Sequence, residues 1–130
     1  MIHYVDSSAL IKLIRAEAES AALAGWIDED VPDLIVSELV VAETLRAARR
    51  DGPAVVLAAR HVLGGLRVRT MTDDIWSWAG EIDPLSLRTL DALHLAVALS
   101  FGPELDSVVT YDARLGEACI AHGIRVLAPA

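Results

Sequence analysis

Asp6 closes the apolar run Ile2-His3-Tyr4-Val5, and Glu43 follows Leu39-Val40-Val41-Ala42. Asp91 sits inside Leu90-Asp91-Ala92-Leu93-His94-Leu95-Ala96-Val97, and Asp112 closes Val108-Val109-Thr110-Tyr111. A carboxylate in apolar surroundings is costly to bury unless it has a partner. For four of them, one shared divalent cation is the simplest partner. Carboxylates about 5 Å apart repel by about 3 kcal/mol per pair at an effective dielectric of about 20. Such a cluster therefore either holds protons at raised pKa or binds cations. Hard oxygen donors with no Cys and few His nearby select Mg²⁺ or Mn²⁺ over zinc. The chemistry that follows is phosphodiester hydrolysis, in which metal lowers the pKa of the attacking water and steadies the leaving oxygen.

Each acid also has a plainer reading. Asp6 precedes Ser7-Ser8 and can serve as an N-cap, Glu43 can pair with Arg46 on an exposed helix face, and Asp112 can start a helix. Asp91 is the hardest to explain this way, because Leu90, Leu93, Leu95 and Val97 leave little polar surface around it.

The elements that must position these acids alternate along the chain. Residues 2–5 read as a short buried strand, and Ser7-Ser8 offers a cap for a helix to about residue 24, with Leu10, Leu13, Ile14 and Ala18 on one face. Asp33-Leu34-Ile35-Val36 reads as a second strand. Ser37-Glu38 caps the helix carrying Glu43, which ends near Asp51-Gly52. Pro53 starts a helix that stops at Gly64-Gly65, and the alternating residues 66–71 form a third strand. Thr72-Asp73-Asp74 caps a segment with Trp76 and Trp78; Pro84-Leu85-Ser86 breaks it, and an apolar helix runs to Phe101-Gly102. Residues 107–110 form a fourth strand, 113–122 a helix and 124–127 a fifth strand. Alternation of this kind implies a five-stranded parallel sheet with helices on both faces, an α/β/α sandwich in one domain spanning residues 1–130. Ligands bind such sheets at the strand carboxyl ends near the topological switch point. If strands 1 and 4 are neighbours, all four acids converge there.

Composition narrows the function classes. A hydrophobic fraction of 54% excludes a disordered chain. No apolar run approaches the ~20 residues that span a bilayer, so no membrane association is expected. The start Met1-Ile2-His3-Tyr4-Val5-Asp6 lacks the basic segment and apolar stretch of a signal peptide, and Cys119 is alone, which together suggest a cytoplasmic protein. The net charge of −8 argues against electrostatic coating of nucleic acid. It leaves room for an enzyme that meets phosphate through metal.

The chain resembles the PIN-domain nucleases, and among them the VapC toxins of bacterial toxin–antitoxin pairs. The resemblance covers essentially the whole length. It rests on Tyr4-Val5-Asp6-Ser7-Ser8-Ala9-Leu10-Ile11-Lys12-Leu13, on Ser37-Glu38-Leu39 through Glu43-Thr44-Leu45-Arg46, and on Leu90-Asp91-Ala92-Leu93-His94-Leu95-Ala96. Val109-Thr110-Tyr111-Asp112-Ala113-Arg114-Leu115 and Val126-Leu127-Ala128-Pro129 complete it. It implies that Asp6, Glu43, Asp91 and Asp112 form a catalytic quartet holding Mg²⁺ or Mn²⁺, with Thr110, and by analogy Ser7, as supporting hydroxyls. It further implies an endoribonuclease acting on structured or translation-related RNA, a cognate antitoxin, and assembly as a homodimer and as a toxin–antitoxin hetero-oligomer.

Among the bases, Arg46, Arg49 and Arg50 beyond Glu43, and Arg88 before Asp91, are candidate contacts for RNA phosphates or an acidic antitoxin segment. A solvated helix end is the alternative for the first three. His94 is expected to pack in the core rather than bind metal; of Trp76 and Trp78, one is expected in the core and the other at an interface. Rival acidic α/β readings fit poorly. A phosphoacceptor receiver needs a lysine after strand 5, but Lys12 is the only lysine. A dehalogenase-type phosphatase needs an acid at position 8, which is Ser8. A non-catalytic RNA- or protein-binding module on the same fold remains the alternative from another class.

Overall fold

The computed structural model describes residues 1–130. Its elements are β1 (Ile2–Val5), α1 (Ser7–Ile14), α2 (Ser20–Asp30), β2 (Asp33–Ser37), α3 (Glu38–Asp51), α4 (Pro53–Gly64) and β3 (Arg67–Arg69). They continue with α5 (Asp73–Ala79), α6 (Thr89–Ser100), a 3₁₀ turn at Gly102–Glu104, β4 (Leu105–Val109), α7 (Ala113–Ala121) and β5 (Val126–Leu127). The five strands form one all-parallel sheet in the order β3-β2-β1-β4-β5. β1 therefore lies beside β4, with Tyr4 opposite Val108 and Val5 opposite Val109.

The connections fix where a site can form. From β1 the chain steps outward through β2 to β3, then crosses back to β4 and outward again to β5. With right-handed crossovers, α1 to α4 cover one face of the sheet and α5 to α7 the other. The packing of α3 on α4 and α1, and of α6 on α5 and α7, matches that division. The strand order reverses between β1 and β4, and a crevice opens at their carboxyl ends. The core runs through both faces: Tyr4, Val36, Val108 and Val109 from the sheet meet Leu10 and Val40 on one side and Leu95 and Val97 on the other, all fully buried. Burying each such side chain contributes roughly 1.5–3 kcal/mol. In α6 every residue from Asp91 to Ala98 is buried, so this helix has almost no solvent face in its middle turns.

The structure departs from the sequence-based expectations in three places. The single helix expected from Ser7 to about residue 24 is two helices, with Arg15 extended between them at φ −144°, ψ 150°. The break is held by side chains that compete with the helical ladder: Ser20 Oγ accepts from the Glu17 N–H and donates to the Arg15 carbonyl. Lys12 Nζ reaches Glu19 Oε2 at 2.6 Å, and Arg15 Nη1 reaches Asp51 Oδ2 at 2.7 Å. Both edge strands are shorter than expected: the third spans only Arg67–Arg69, because its partner β2 ends at Ser37 opposite Arg69, and the fifth only Val126–Leu127. Trp76 and Trp78 are both largely exposed, at 51% and 41%, so neither is a core residue; Ile75 and Ile82 take the buried positions nearby.

Candidate active site

Asp6 is the first residue after β1 and caps α1. Its Oδ1 accepts from Ser8 Oγ at 2.7 Å and the Ala9 N–H at 3.0 Å, and its Oδ2 accepts from Thr110 Oγ1 at 2.5 Å. Thr110 follows β4, so this contact closes the β1/β4 crevice from both sides. Asp6 is 3% exposed, and burial raises its pKa despite these donors. Asp112 caps α7, with Oδ1 accepting from the Arg114 and Leu115 N–H groups. The cap reading of both aspartates is thus correct, and it coexists with a place in the crevice.

Glu43 comes from the second turn of α3 and Asp91 from the first turn of α6. With Asp6 and Asp112 they line one cleft of about 380 Å³. Asp91 differs from the others. It is buried, its carboxylate has no hydrogen-bond partner within the chain, and its pKa is raised by desolvation and then by the neighbouring Asp112. Arg114, His94 and Arg88 offset part of this from a distance, but none of them bonds to it.

Three or more His, Cys, Asp or Glu side chains do not close into a ready-made metal cage anywhere in the chain. This is unlike a structural zinc site, where all four ligands come from the protein. It fits Mg²⁺ or Mn²⁺, which keep several waters and need only one or two carboxylates directly. A carboxylate without a hydrogen-bond partner, opening on a cleft lined by three more acids, is a donor set of that kind.

His94 is the residue whose part the sequence reading missed. It is 5% exposed and packs against Tyr4, as expected, but both ring nitrogens are engaged in the wall of the cleft. Nε2 lies 2.8 Å from Glu43 Oε1 and Nδ1 lies 2.8 Å from the Tyr4 hydroxyl, which is 2.9 Å from Ser37 Oγ. With Glu43 ionised, one routing gives every proton an acceptor: Ser37 donates to Tyr4, Tyr4 to Nδ1, and Nε2–H to Glu43. Burial raises the Tyr4 phenol well above its ordinary range, so it remains a donor. Ser37 in turn accepts from the Val40 N–H as the α3 cap. A helix cap, a buried phenol and an imidazole thereby orient Glu43. The available signal was the i, i+3 spacing of Asp91 and His94, which places them on one face of α6.

The other sequence candidates divide. Ser7 lines the cleft without bonding to an acid; Ser8 is the hydroxyl that holds Asp6, and it also accepts from the Tyr111 N–H. Thr110 stands where expected. Arg88 lines the cleft, whereas Arg46, Arg49 and Arg50 do not; Arg49 borders a separate groove with Pro53, Leu57 and Arg60. All three lie at exposed positions of α3 outside the cleft. Arg114, two residues after Asp112 and not among the sequence candidates, also lines the cleft.

Comparisons with known proteins find relatives over nearly the whole chain. The family model for the PIN domain matches residues 3–121. Ribonuclease VapC35 of Mycobacterium tuberculosis is 43% identical over 130 residues, covering 97% of this chain and 96% of that protein. Ribonuclease VapC46 of the same species is 38% identical over 126 residues, with the same coverage. Among solved structures, the M. tuberculosis VapC20 toxin, described as cleaving the sarcin–ricin loop, superposes with a TM-score of 0.77 at 25% identity, covering 98% of this chain and 99% of that one. A toxin–antitoxin complex from Klebsiella pneumoniae shares the fold with a TM-score of 0.75 at 17% identity, each chain covered to 98%.

Proposed function

The chain belongs to the PIN-domain family and, within it, to the VapC ribonucleases, and on that premise we propose that it is the toxin of a toxin–antitoxin pair, cutting RNA as a Mg²⁺-dependent endoribonuclease. The observation that carries this reading is the meeting of Asp6, Glu43, Asp91 and Asp112, from four separate elements, in one cleft at the carboxyl ends of β1 and β4.

Bound Mg²⁺, or Mn²⁺ in its place, supplies an activated water and neutralises charge on the phosphate. The chain's own residues do the rest. Asp91 and the Asp112 oxygen not used in capping α7 would help to hold the ion, because a cation relieves the repulsion between the two acids. Asp6 is locked by Ser8, Ala9 and Thr110, so its orientation is set before any ligand arrives. Glu43 is held by His94, and ligand carboxylates fixed in this way bind metal better than free ones. No further acid lines the cleft, and Arg88 and Arg114 are the guanidinium groups on its wall that would face an incoming RNA backbone.

The antitoxin, a homodimer and the toxin–antitoxin hetero-oligomer belong to the same proposal. The Klebsiella structure, described as a toxin–antitoxin complex, supports the antitoxin partner. The test is to map RNA 5′ ends after incubating total RNA with the purified protein. Discrete new ends should appear with Mg²⁺ and be absent with chelator or with Asp91→Asn. Folded protein that binds RNA yet yields no new ends in Mg²⁺ or Mn²⁺ would favour the non-catalytic binding module instead.

A further inference from the structure

Arg88 and Arg114 line two cavities at once: the acidic cleft, and a second cleft of about 330 Å³ that also includes Ser86, Leu87, Glu117 and Ala118. They therefore form the ridge between the two. Each is tied to one of the acids, Arg88 three residues before Asp91 at the start of α6 and Arg114 two residues after Asp112 at the start of α7. Both are exposed. The bases that form salt bridges to carboxylates are Lys12, Arg15, Arg67 and Arg125, so neither ridge arginine is spoken for. In a chain of net charge −8, two unpaired guanidinium groups beside four carboxylates stand out.

We propose that Arg88 and Arg114 together grip the RNA phosphate next to the scissile one, and that the nucleotide beyond it lies unstacked in the Ser86–Glu117 cleft. This rests on the ribonuclease reading and extends it to the path of the substrate. A strand with its scissile phosphate over the acids must cross the ridge to leave on that side. Guanidinium forks match phosphate oxygens bidentately, and a planar guanidinium tolerates the partly wet surroundings of a ridge. The second cleft has the size of small-ligand sites, which run ~300–1,000 Å³. Its floor, Leu87 and Ala118, suits the face of a base, while Ser86 and Glu117 offer hydrogen-bonding groups to its edge. An acidic protein segment is the poorer occupant, because it would carry further carboxylates towards four existing ones. A phosphodiester chain brings only one charge per residue, and the scissile one meets metal.

The test uses the full chain with Asp91→Asn, so that RNA is bound and not cut, and a fluorescent randomised 20-nucleotide RNA in Mg²⁺ buffer between 50 and 200 mM salt. Adding Arg88→Ala and Arg114→Ala together should weaken binding about tenfold and reduce the slope of log affinity against log salt by about 0.7, the value for one lost single-strand phosphate contact. Arg→Lys at both positions should restore part of each. Unchanged affinity and slope would overturn the proposal, as would a loss confined to binding of an acidic protein partner. In the otherwise wild-type chain, the double variant should cut RNA more slowly at limiting substrate and recover at saturation; a loss at saturation with unchanged binding would overturn it too. A single methylphosphonate next to the mapped cleavage position should slow the wild type and add nothing to the slowing already present in the double variant. If the wild-type protein cuts no RNA, the ribonuclease reading fails on its own, and the binding arm still decides whether the ridge holds phosphate.

Discussion

The two ends of the same parallel sheet carry similar residues and treat them in opposite ways. At the amino end, His3 on β1 and Asp106 on β4 are neighbours much as Asp6 and Asp112 are at the carboxyl end. There, however, the charges are matched within the chain. Asp106 pairs with Arg125 at 3.0 Å and lies 3.4 Å from His3 Nδ1, which is bonded to Ser107 Oγ at 2.7 Å. Asp33 at the start of β2 holds Arg67 at the start of β3 at 2.6 Å. At the carboxyl end Asp91 has no partner, Arg88 and Arg114 have no carboxylate, and two aspartates have raised pKa values. An amino end of this kind is complete without a ligand. At the carboxyl end Asp91 feels Arg114 and Arg88 without touching either, and the desolvation and repulsion left over are what a cation and an anionic backbone together would relieve.

The sharpest break of this contrast is Asp91→Asn. It removes one charge and leaves shape intact, so the protein should fold while RNA cleavage falls to background, a larger loss than the ~10–100-fold typical of residues that merely support a metal ligand. Initial rates on a mapped RNA substrate with saturating Mg²⁺ give the comparison. Cleavage within a few-fold of wild type would mean that the carboxyl end resembles the amino end after all.

His94→Leu should come next, with a loss of roughly 10–100-fold, because Glu43 loses its Nε2–H donor. The Mg²⁺ concentration for half-maximal cleavage should rise with it, and a purely packing role would leave that concentration unchanged. Tyr4→Phe should show a smaller change in the same direction, since it leaves Nδ1 without the donor that selects the Nε2–H tautomer.

The residues behind these predictions were unevenly visible in the sequence. The four acids, the five strands and their parallel direction could be read because each acid ends or interrupts an apolar run and each strand is bounded by capping or turn residues; that β1 lies beside β4 came only with the structure. The division at Arg15 could not be read, since nothing between Arg15 and Glu19 breaks a helix by itself. Contacts from Ser20, Glu19 and the distant Asp51 make the break, and that last partner is tertiary. His94 looked like core because it is core; what the sequence lacked was the fact that α3 brings Glu43 to its outer nitrogen. The arginines after Glu43 looked closer to the site than they are, while Arg114 was passed over because it sits in the shadow of the acid two residues before it.

Stability should respond in a direction opposite to activity. Asp91 keeps its proton to higher pH when folded than when unfolded, where the ordinary value is 3.8. Its contribution to stability is therefore fully present below that ordinary value and is lost as pH rises through the raised one. In metal-free buffer at pH 7, Asp91→Asn should melt a few degrees above wild type, and the two should converge below about pH 4. Thermal melts across pH with chelator present make the measurement, and added Mg²⁺ should reverse the order by stabilising the wild type alone. Thr44→Val should also raise the melting temperature at every pH, because the Thr44 hydroxyl is buried without a partner, a loss of about 1–3 kcal/mol for such groups.

The smallest effect should come from the amino end. Arg125 is well exposed and meets Asp106 across solvent-accessible surface, so Arg125→Ala should cost less than about 1 kcal/mol. His3 remains close to Asp106 and bonded to Ser107, which keeps the pair of central strands tied together. RNA cleavage and its Mg²⁺ dependence should be unchanged, because the altered charge lies at the far end of β4 from Thr110 and Asp112. A fall in cleavage without a matching fall in stability would show that charge at one end of the sheet is felt at the other. The acids of the cleft would then have to be understood as part of a field spanning the whole sheet, with the amino-end pairs helping to set how strongly the carboxyl end attracts a cation.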